Sequence, residues 1–269
     1  MNGEPRAGAF FDLDKTIIAK SSVLAFGRPF YREGLLSKRA IVRSIYGQVV
    51  FMLVGADEAK MEKLRVAMLE MIQGWNQHHV SEIVRETLGD VVTPIIFAEA
   101  LDLIAAHQAA GRYVVIVSSA PEEVVRPLGE FLGVDDVIAT RAEVDDLGDY
   151  TGELAFYGYG PYKAEAVREL AAREGLSLPH SYAYSDSITD EPMLRTVGHP
   201  VAVNPDKELA RVARAEEWEV RNFARPVRLR DRVPAPPAGP VLAVSGALAA
   251  AGAGVAVWWW LRRRERLAA

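Results

Sequence analysis

The feature that most constrains this chain is residues 9–18, Ala-Phe-Phe-Asp-Leu-Asp-Lys-Thr-Ile-Ile. A short apolar run ends in two carboxylates, Asp12 and Asp14, separated by one residue. Successive residues of an extended segment alternate faces, so both carboxylates can point the same way. Like charges that close repel. A fold keeps such a pair when a cation holds it, or when one member carries a proton for chemistry. Residues 8–13 therefore read as a buried strand that delivers an acidic pair at its end.

The remaining pattern supplies the frame for that strand. Little strand character appears from about residue 21 to 108. Ile41, Ile45, Val49 and Met52 recur at helical spacing, as do Met61, Leu64, Met68 and Met71, and the methionines read as core packing. Residues 76–88 and 94–108 read as two more helices. Strand segments then alternate with helices: a strand at 112–117, a helix at 121–132 stopped by Gly133, a strand at 137–140, and a hairpin of 141–144 with 150–154. They are followed by a helix at 162–174, a strand at 181–184, a short helix at 190–195, a strand at 200–203 and a helix at 206–215. Alternation of this kind predicts an α/β fold with an open, Rossmann-like parallel sheet, which binds ligands at the carboxyl ends of its strands. The helical block after the first strand is too long for an ordinary crossover and reads as an inserted cap. The expected division is a core of residues 8–20 and 94–222, a helical cap of 21–93, a linker of 223–240 and a C-terminal segment of 241–261.

Polar residues cluster where those strands end. Asp12 and Asp14, with Thr16 close by, follow the first. Ser118 and Ser119 follow the second. Lys163 lies at a helix start, and Asp186 and Asp190 follow a later strand. Each type meets a need of phosphoryl transfer. A carboxylate can attack a phosphate monoester only when the ester's charge is neutralised, by Mg²⁺ and by Lys163. Mg²⁺ prefers hard oxygen ligands, which Asp12, the Asp14 carbonyl and Asp186 can supply, with Asp190 assisting. Ser118 and the amides that follow it at a helix start can hold phosphate oxygens. Asp14 can protonate the leaving oxygen and later take a proton from water.

Taken in order, Asp12-x-Asp14-x-Thr16, the strand ending in Ser118, the lone Lys163 and Ser185-Asp186-Ser187-Ile188-Thr189-Asp190 resemble the four motifs of the haloacid dehalogenase (HAD) superfamily. The helical insert resembles subfamily IB, the phosphoserine phosphatase-like group, and the match runs from about residue 8 to 222. The resemblance implies a Mg²⁺-dependent phosphatase that works through an aspartyl-phosphate on a small phosphorylated metabolite. Two departures stand out. Lys15 replaces the Ser common after the second Asp. The Glu by which phosphoserine phosphatases read the substrate amino group is replaced at about Ser21, preceded by Lys20. A phosphorylated lipid or lipid precursor is the alternative substrate, and a catalytically inactive membrane-tethered scaffold the alternative of another class.

Composition removes several other classes. The formal charge of −5 and the lack of a basic stripe exclude a nucleic-acid partner, and the absence of cysteine excludes thiolate chemistry and disulfides. His78 and His79 are adjacent, so they diverge on a helix and make no metal site. Arg28 and Arg32 are candidates to meet a substrate anion or to form a solvated face. Residues 241–261 run 21 positions without a charge. As a helix they would span about 31 Å, enough to cross a bilayer core, with Trp258, Trp259 and Trp260 at an interface. They read as a single transmembrane anchor that holds the enzyme at the cytoplasmic face of the membrane.

Overall fold

The computed structural model describes residues 6–36 and 58–224. Among them, β1 (Gly8–Phe11), β2 (Tyr113–Pro121), β3 (Asp136–Val144), β4 (Tyr150–Phe156), β5 (Tyr182–Ser185), β6 (His199–Val203) and β7 (Glu219–Arg221) form one seven-stranded sheet. The strand order is β4-β3-β2-β1-β5-β6-β7. All neighbours are parallel except β3 and β4, which form an antiparallel hairpin. β1 is central and wholly buried, which is why its sequence is apolar on both faces. The pleat splits it: Ala9 and Phe11 join one apolar cluster with Val114 and Ile116, while Phe10 joins the other with Val115, Val117 and Val167. Burying a phenylalanine side chain stabilises by roughly 1.5–3 kcal/mol, so this short strand anchors both layers.

The helices are α1 (Ser22–Ala25), α2 (Gly27–Arg32), α3 (Glu58–Ile72), α4 (Gln77–Val92), α5 (Ala98–Ala109), α6 (Glu122–Leu132), α7 (Pro161–Glu174), α8 (Glu191–Leu194) and α9 (Lys207–Ala215). α6 ends at Gly133, whose φ of 67° is the left-handed stop expected of a glycine there. Asp206 caps α9 by accepting from the amides of Glu208 and Leu209.

The helical insert meets the core at two places. At its root, the Ala19 amide donates to the Ile95 carbonyl (2.7 Å) and the Phe97 amide to the Ile17 carbonyl (2.9 Å). At its far side it docks on the β3–β4 hairpin. The Gly74 amide donates to Tyr150 and the Tyr150 amide to Trp75, each at 2.9 Å, and the Asn76 side-chain amide donates to Asp149 Oδ1 at 2.9 Å.

Several sequence expectations change here. The predicted helix over 94–108 is broken. A single 3₁₀ turn, Thr93–Ile95, is followed by an extended Ile96 that pairs with Ile18 before α5 begins. The segments 137–140 and 141–144 are one continuous strand, and β1 stops at Phe11 instead of residue 13. Met68 is 37% exposed and does not pack in the core as its spacing suggested. The expected helix through Ile41 and Met52 lies outside the described residues, as does the segment 241–261 read as an anchor. Among the described residues no helix is long and apolar enough to cross a membrane.

Candidate active site

The carboxyl ends of β1, β2 and β5 converge on one buried ionic cluster. The Asp12 amide donates to the Tyr184 carbonyl (2.9 Å), which extends the β1–β5 pairing by one residue and fixes where the Asp12 carboxylate emerges. Beyond it the chain turns sharply: the amides of Thr16, Ile17 and Ile18 all donate to the Leu13 carbonyl, and Lys15 takes a positive φ of 60°. From the third position of α7, Lys163 extends its ammonium between Asp12 Oδ1 (2.7 Å) and Asp190 Oδ2 (2.8 Å). All three side chains are buried, and Ser185 Oγ donates to the same Asp190 oxygen at 2.7 Å.

The electrostatics follow from this burial. Desolvation pushes the Asp12 carboxyl well above the usual range. The Lys163 ammonium pulls it back, and the nearby Asp190 and Asp186 charges push it further up. Lys163 loses hydration, yet its two carboxylate partners hold its ammonium above the ordinary lysine value. Burial lifts Asp186 to about 6. Its ion-pair contact is the ammonium of Lys15, a largely exposed side chain, at 3.7 Å. Burial also raises Asp14, opposed by hydrogen bonding from Ser22, whose amide donates to Asp14 Oδ1 at 2.9 Å.

Sequence reasoning expected Asp12, Asp14 through its backbone carbonyl, and Asp186 around Mg²⁺, with Asp190 assisting. In the structure the Asp14 carboxylate is held by Ser22, and Asp190 is held by Lys163 and Ser185. Among the described residues no three acidic or histidine side chains gather as a ready-made metal cage. Mg²⁺ does not require one, because it commonly binds through one or two carboxylates and retains water. Four carboxylates against the two ammonium groups of Lys163 and Lys15 leave an excess of negative oxygen. Asp12 and Asp186 therefore fit a hard divalent cation.

Ser118 is buried within β2, where the register with β3 shifts, and its Oγ accepts from the Ala120 amide at 3.1 Å. Ser119 is exposed, and its carbonyl accepts from Thr140 Oγ1. Thr16 is fully buried and its hydroxyl has no hydrogen-bond partner, at a cost of roughly 1–3 kcal/mol that a ligand oxygen would relieve. Arg28 and Arg32 are exposed on α2.

Several contributors were not singled out from sequence. Gly158 packs so tightly that a Cβ there would stand 2.6 Å from the Ser118 carbonyl oxygen and 3.3 Å from the Thr140 nitrogen. Tyr159 carries a phenol raised first by burial and then by the Asp190 charge. It stacks on Tyr157, over which Arg65 of the insert is placed. The sequence did offer a signal for these residues, in the run Tyr157-Gly158-Tyr159-Gly160 directly before the helix that carries Lys163.

An α/β sheet with a helical insert after its first strand, and an acidic cluster bridged by lysine at the strand ends, defines a class. The chain belongs to the haloacid dehalogenase-like hydrolase family, whose model matches residues 9–195. It is 53% identical over 259 residues to a probable phosphatase of Mycobacterium tuberculosis, covering 96% of this chain and 90% of that protein. It is 36% identical over 248 residues to a protein of the same organism named phosphoserine phosphatase SerB1, covering 91% of this chain and 79% of that protein. Among solved structures, a Bordetella pertussis protein of unknown function superposes with a TM-score of 0.71 at 28% identity. The match covers 81% of this chain and 99% of that one. The chain is an HAD-type phosphatase of the phosphoserine phosphatase-like group.

Proposed function

We propose that the protein hydrolyses a small phosphomonoester through an aspartyl-phosphate on Asp12, with Mg²⁺ as its cofactor. The observation that carries this reading is the buried Lys163 ammonium bridging Asp12 and Asp190 at the strand ends. A fixed cation at the nucleophile neutralises an incoming phosphate without moving, the preorganised electrostatics that phosphoryl transfer depends on. Lys163 engages one Asp12 oxygen and leaves the other for attack on phosphorus. Ser118, its following amides and the Thr16 hydroxyl hold the non-bridging oxygens. The close seat of Gly158 on the Ser118 carbonyl keeps that cradle narrow.

Asp14, raised by burial, donates its proton to the leaving oxygen and then accepts one from the water that hydrolyses the aspartyl-phosphate. Asp12 and Asp186 would hold Mg²⁺, which would supply positive charge to offset the phosphate and the clustered carboxylates. The related phosphoserine phosphatase supports a substrate built on a small alcohol. The departure at Lys20 and Ser21 argues for an alcohol other than serine. An inactive scaffold is disfavoured, because nucleophile, acid, lysine and acidic partners all converge on one site.

The test is phosphate release from p-nitrophenyl phosphate with and without Mg²⁺, by wild type and by Asp12→Asn. Wild type turns over only with the cation, and Asp12→Asn loses at least about 10³-fold in kcat, as expected when a nucleophile is removed. Retention of activity by Asp12→Asn refutes the nucleophile assignment.

A further inference from the structure

The arginines of α2 take no part in the cluster at the strand ends. The Phe26 amide donates to the Ser22 carbonyl and the Phe30 amide to the Phe26 carbonyl, so helical turns run on from α1 into α2. Ser22, Phe26 and Phe30 recur every fourth residue and are buried, which fixes the inward side of the pair. Leu24, Arg28, Tyr31 and Arg32 lie on the opposite side and are all exposed, Leu24 at 40% and Tyr31 at 39%. Lys20, just before α1, is exposed as well. Among the described residues, no carboxylate pairs with Lys20, Arg28 or Arg32. Charge along the sequence sets this region apart. The chain carries a formal charge of −5, yet residues 15–56 hold seven basic residues and one acidic residue, Glu33. A surface that only meets water intersperses both signs and exposes few large apolar side chains.

We infer that the outward face of α1 and α2 docks the protein on an anionic lipid bilayer. Such a surface matches both halves of the pattern. Guanidinium groups bind phosphates through paired hydrogen bonds, and the long basic side chains reach the headgroups while their stems lie on apolar ground. Leucine fills the boundary beneath the headgroups, and tyrosine places its ring there with its hydroxyl toward water. Negative lipid attracts each basic residue held at its surface, so binding depends on headgroup charge. The inward side of the same turn meets the candidate site, where the Ser22 amide donates to Asp14 Oδ1 at 2.9 Å. A helix with its side chains is about 10 Å across, so docking brings that site within about one helix thickness of the headgroups. Phosphate esters carried at the bilayer surface are then the substrates presented to it at the highest local concentration.

The test uses the absence of cysteine, by which one introduced thiol labels one position. The full chain carries a nitrobenzoxadiazole fluorophore on Leu24→Cys and is mixed with vesicles that contain a spin-labelled quencher lipid. Vesicles of phosphatidylcholine and phosphatidylglycerol in equal parts quench this probe, and vesicles of phosphatidylcholine alone do not. The same fluorophore on Val220→Cys is quenched by neither. Val220 is exposed on β7, the outermost strand at the sheet edge opposite the hairpin that the insert meets. When Arg28→Ser and Arg32→Ser are added to Leu24→Cys, the lipid concentration for half-quenching rises about 25-fold, about fivefold for each basic residue lost. Every substituted side chain is exposed, so the variants keep the fold. Because the readout is local to residue 24, it reports on this face whatever other part of the chain meets the vesicle. No quenching at position 24 overturns the assignment. So does equal quenching by the two kinds of vesicle, equal quenching at position 220, or an unchanged midpoint in the double-arginine variant.

Discussion

Replacing Lys163 with methionine tests the ionic core of the site. Methionine keeps most of the buried volume and removes the ammonium that bridges Asp12 and Asp190 at 2.7 and 2.8 Å. Each charge-assisted bond contributes about 1.5–3 kcal/mol. Removing one partner of a buried ionic cluster typically costs about 3–5 kcal/mol, because charge is left uncompensated. The carboxylates can escape part of that cost by taking up a proton, as the already raised Asp12 shows. A net loss of about 3 kcal/mol at pH 7.5 follows, a fall in Tm of about 6–12 °C for a domain of this size. The loss depends on pH with a definite sign. Without Lys163 the Asp12 carboxyl, already raised by burial, has a folded pKa above its unfolded one, so the folded state binds the extra proton. Its contribution is favourable at low pH and is lost as pH rises through the folded value. The destabilisation therefore shrinks toward pH 5. Thermal unfolding of wild type and Lys163→Met across pH 5–8.5 measures it. A variant as stable as wild type at pH 7.5, or a penalty that ignores pH, would refute this account of the cluster.

Two further outcomes are expected. In Gly158→Ala the added Cβ meets the Ser118 carbonyl oxygen at 2.6 Å and the Thr140 nitrogen at 3.3 Å, backbone that cannot swing aside. The phosphate seat opens, and steady-state kinetics should show a rise in KM of about tenfold or more, the size expected from a misplaced binding group. His107 is buried between Tyr184 and Arg112. An arginine nitrogen donates to its Nδ1 at 3.2 Å, so the imidazole is neutral and Nε2 donates to the Tyr184 hydroxyl at 2.8 Å. Burial, then Arg112 and Arg221, lower it to about 4, so the unfolded chain binds the extra proton between about pH 6.5 and 4. Stability is lost as pH falls through that window, by about 3 kcal/mol in all, and chemical denaturation of His107→Phe should lack this acid limb.

How much of this was legible depends on the range of the interaction. The apolar run into Asp12 and Asp14, Ser118 after a second strand, and the short acidic run at 185–190 are local patterns, and each element they predicted exists. Lys163 was placed by order along the chain, and its ammonium lies between Asp12 and Asp190. What the sequence hid is tertiary. The break at Pro94 reflects pairing of Ile96 with Ile18, a contact between residues 78 positions apart. The short helices α1 and α2 lack enough turns to show a period, and β7 has three residues. Ser22 gave no signal because its amide acts, and an amide is common to every residue except proline. Met68 misled because helical spacing identifies one face of a helix without saying whether that face is covered.

The β3–β4 hairpin has a consequence for how the insert is held. It grows from the strand that supplies Thr140 to the Ser119 carbonyl, and its tip grips the insert through Tyr150, Gly148 and Asp149. The insert is thus fastened at two separate places, at its root and at the hairpin tip. Each bond at the hairpin tip contributes roughly 1 kcal/mol, so the few there hold the insert with an energy small against that of its buried core. β3 runs from Thr140, which donates to the Ser119 carbonyl, to Val144 beside the hairpin tip, so one strand joins the neighbour of Ser118 to the place where the insert is held.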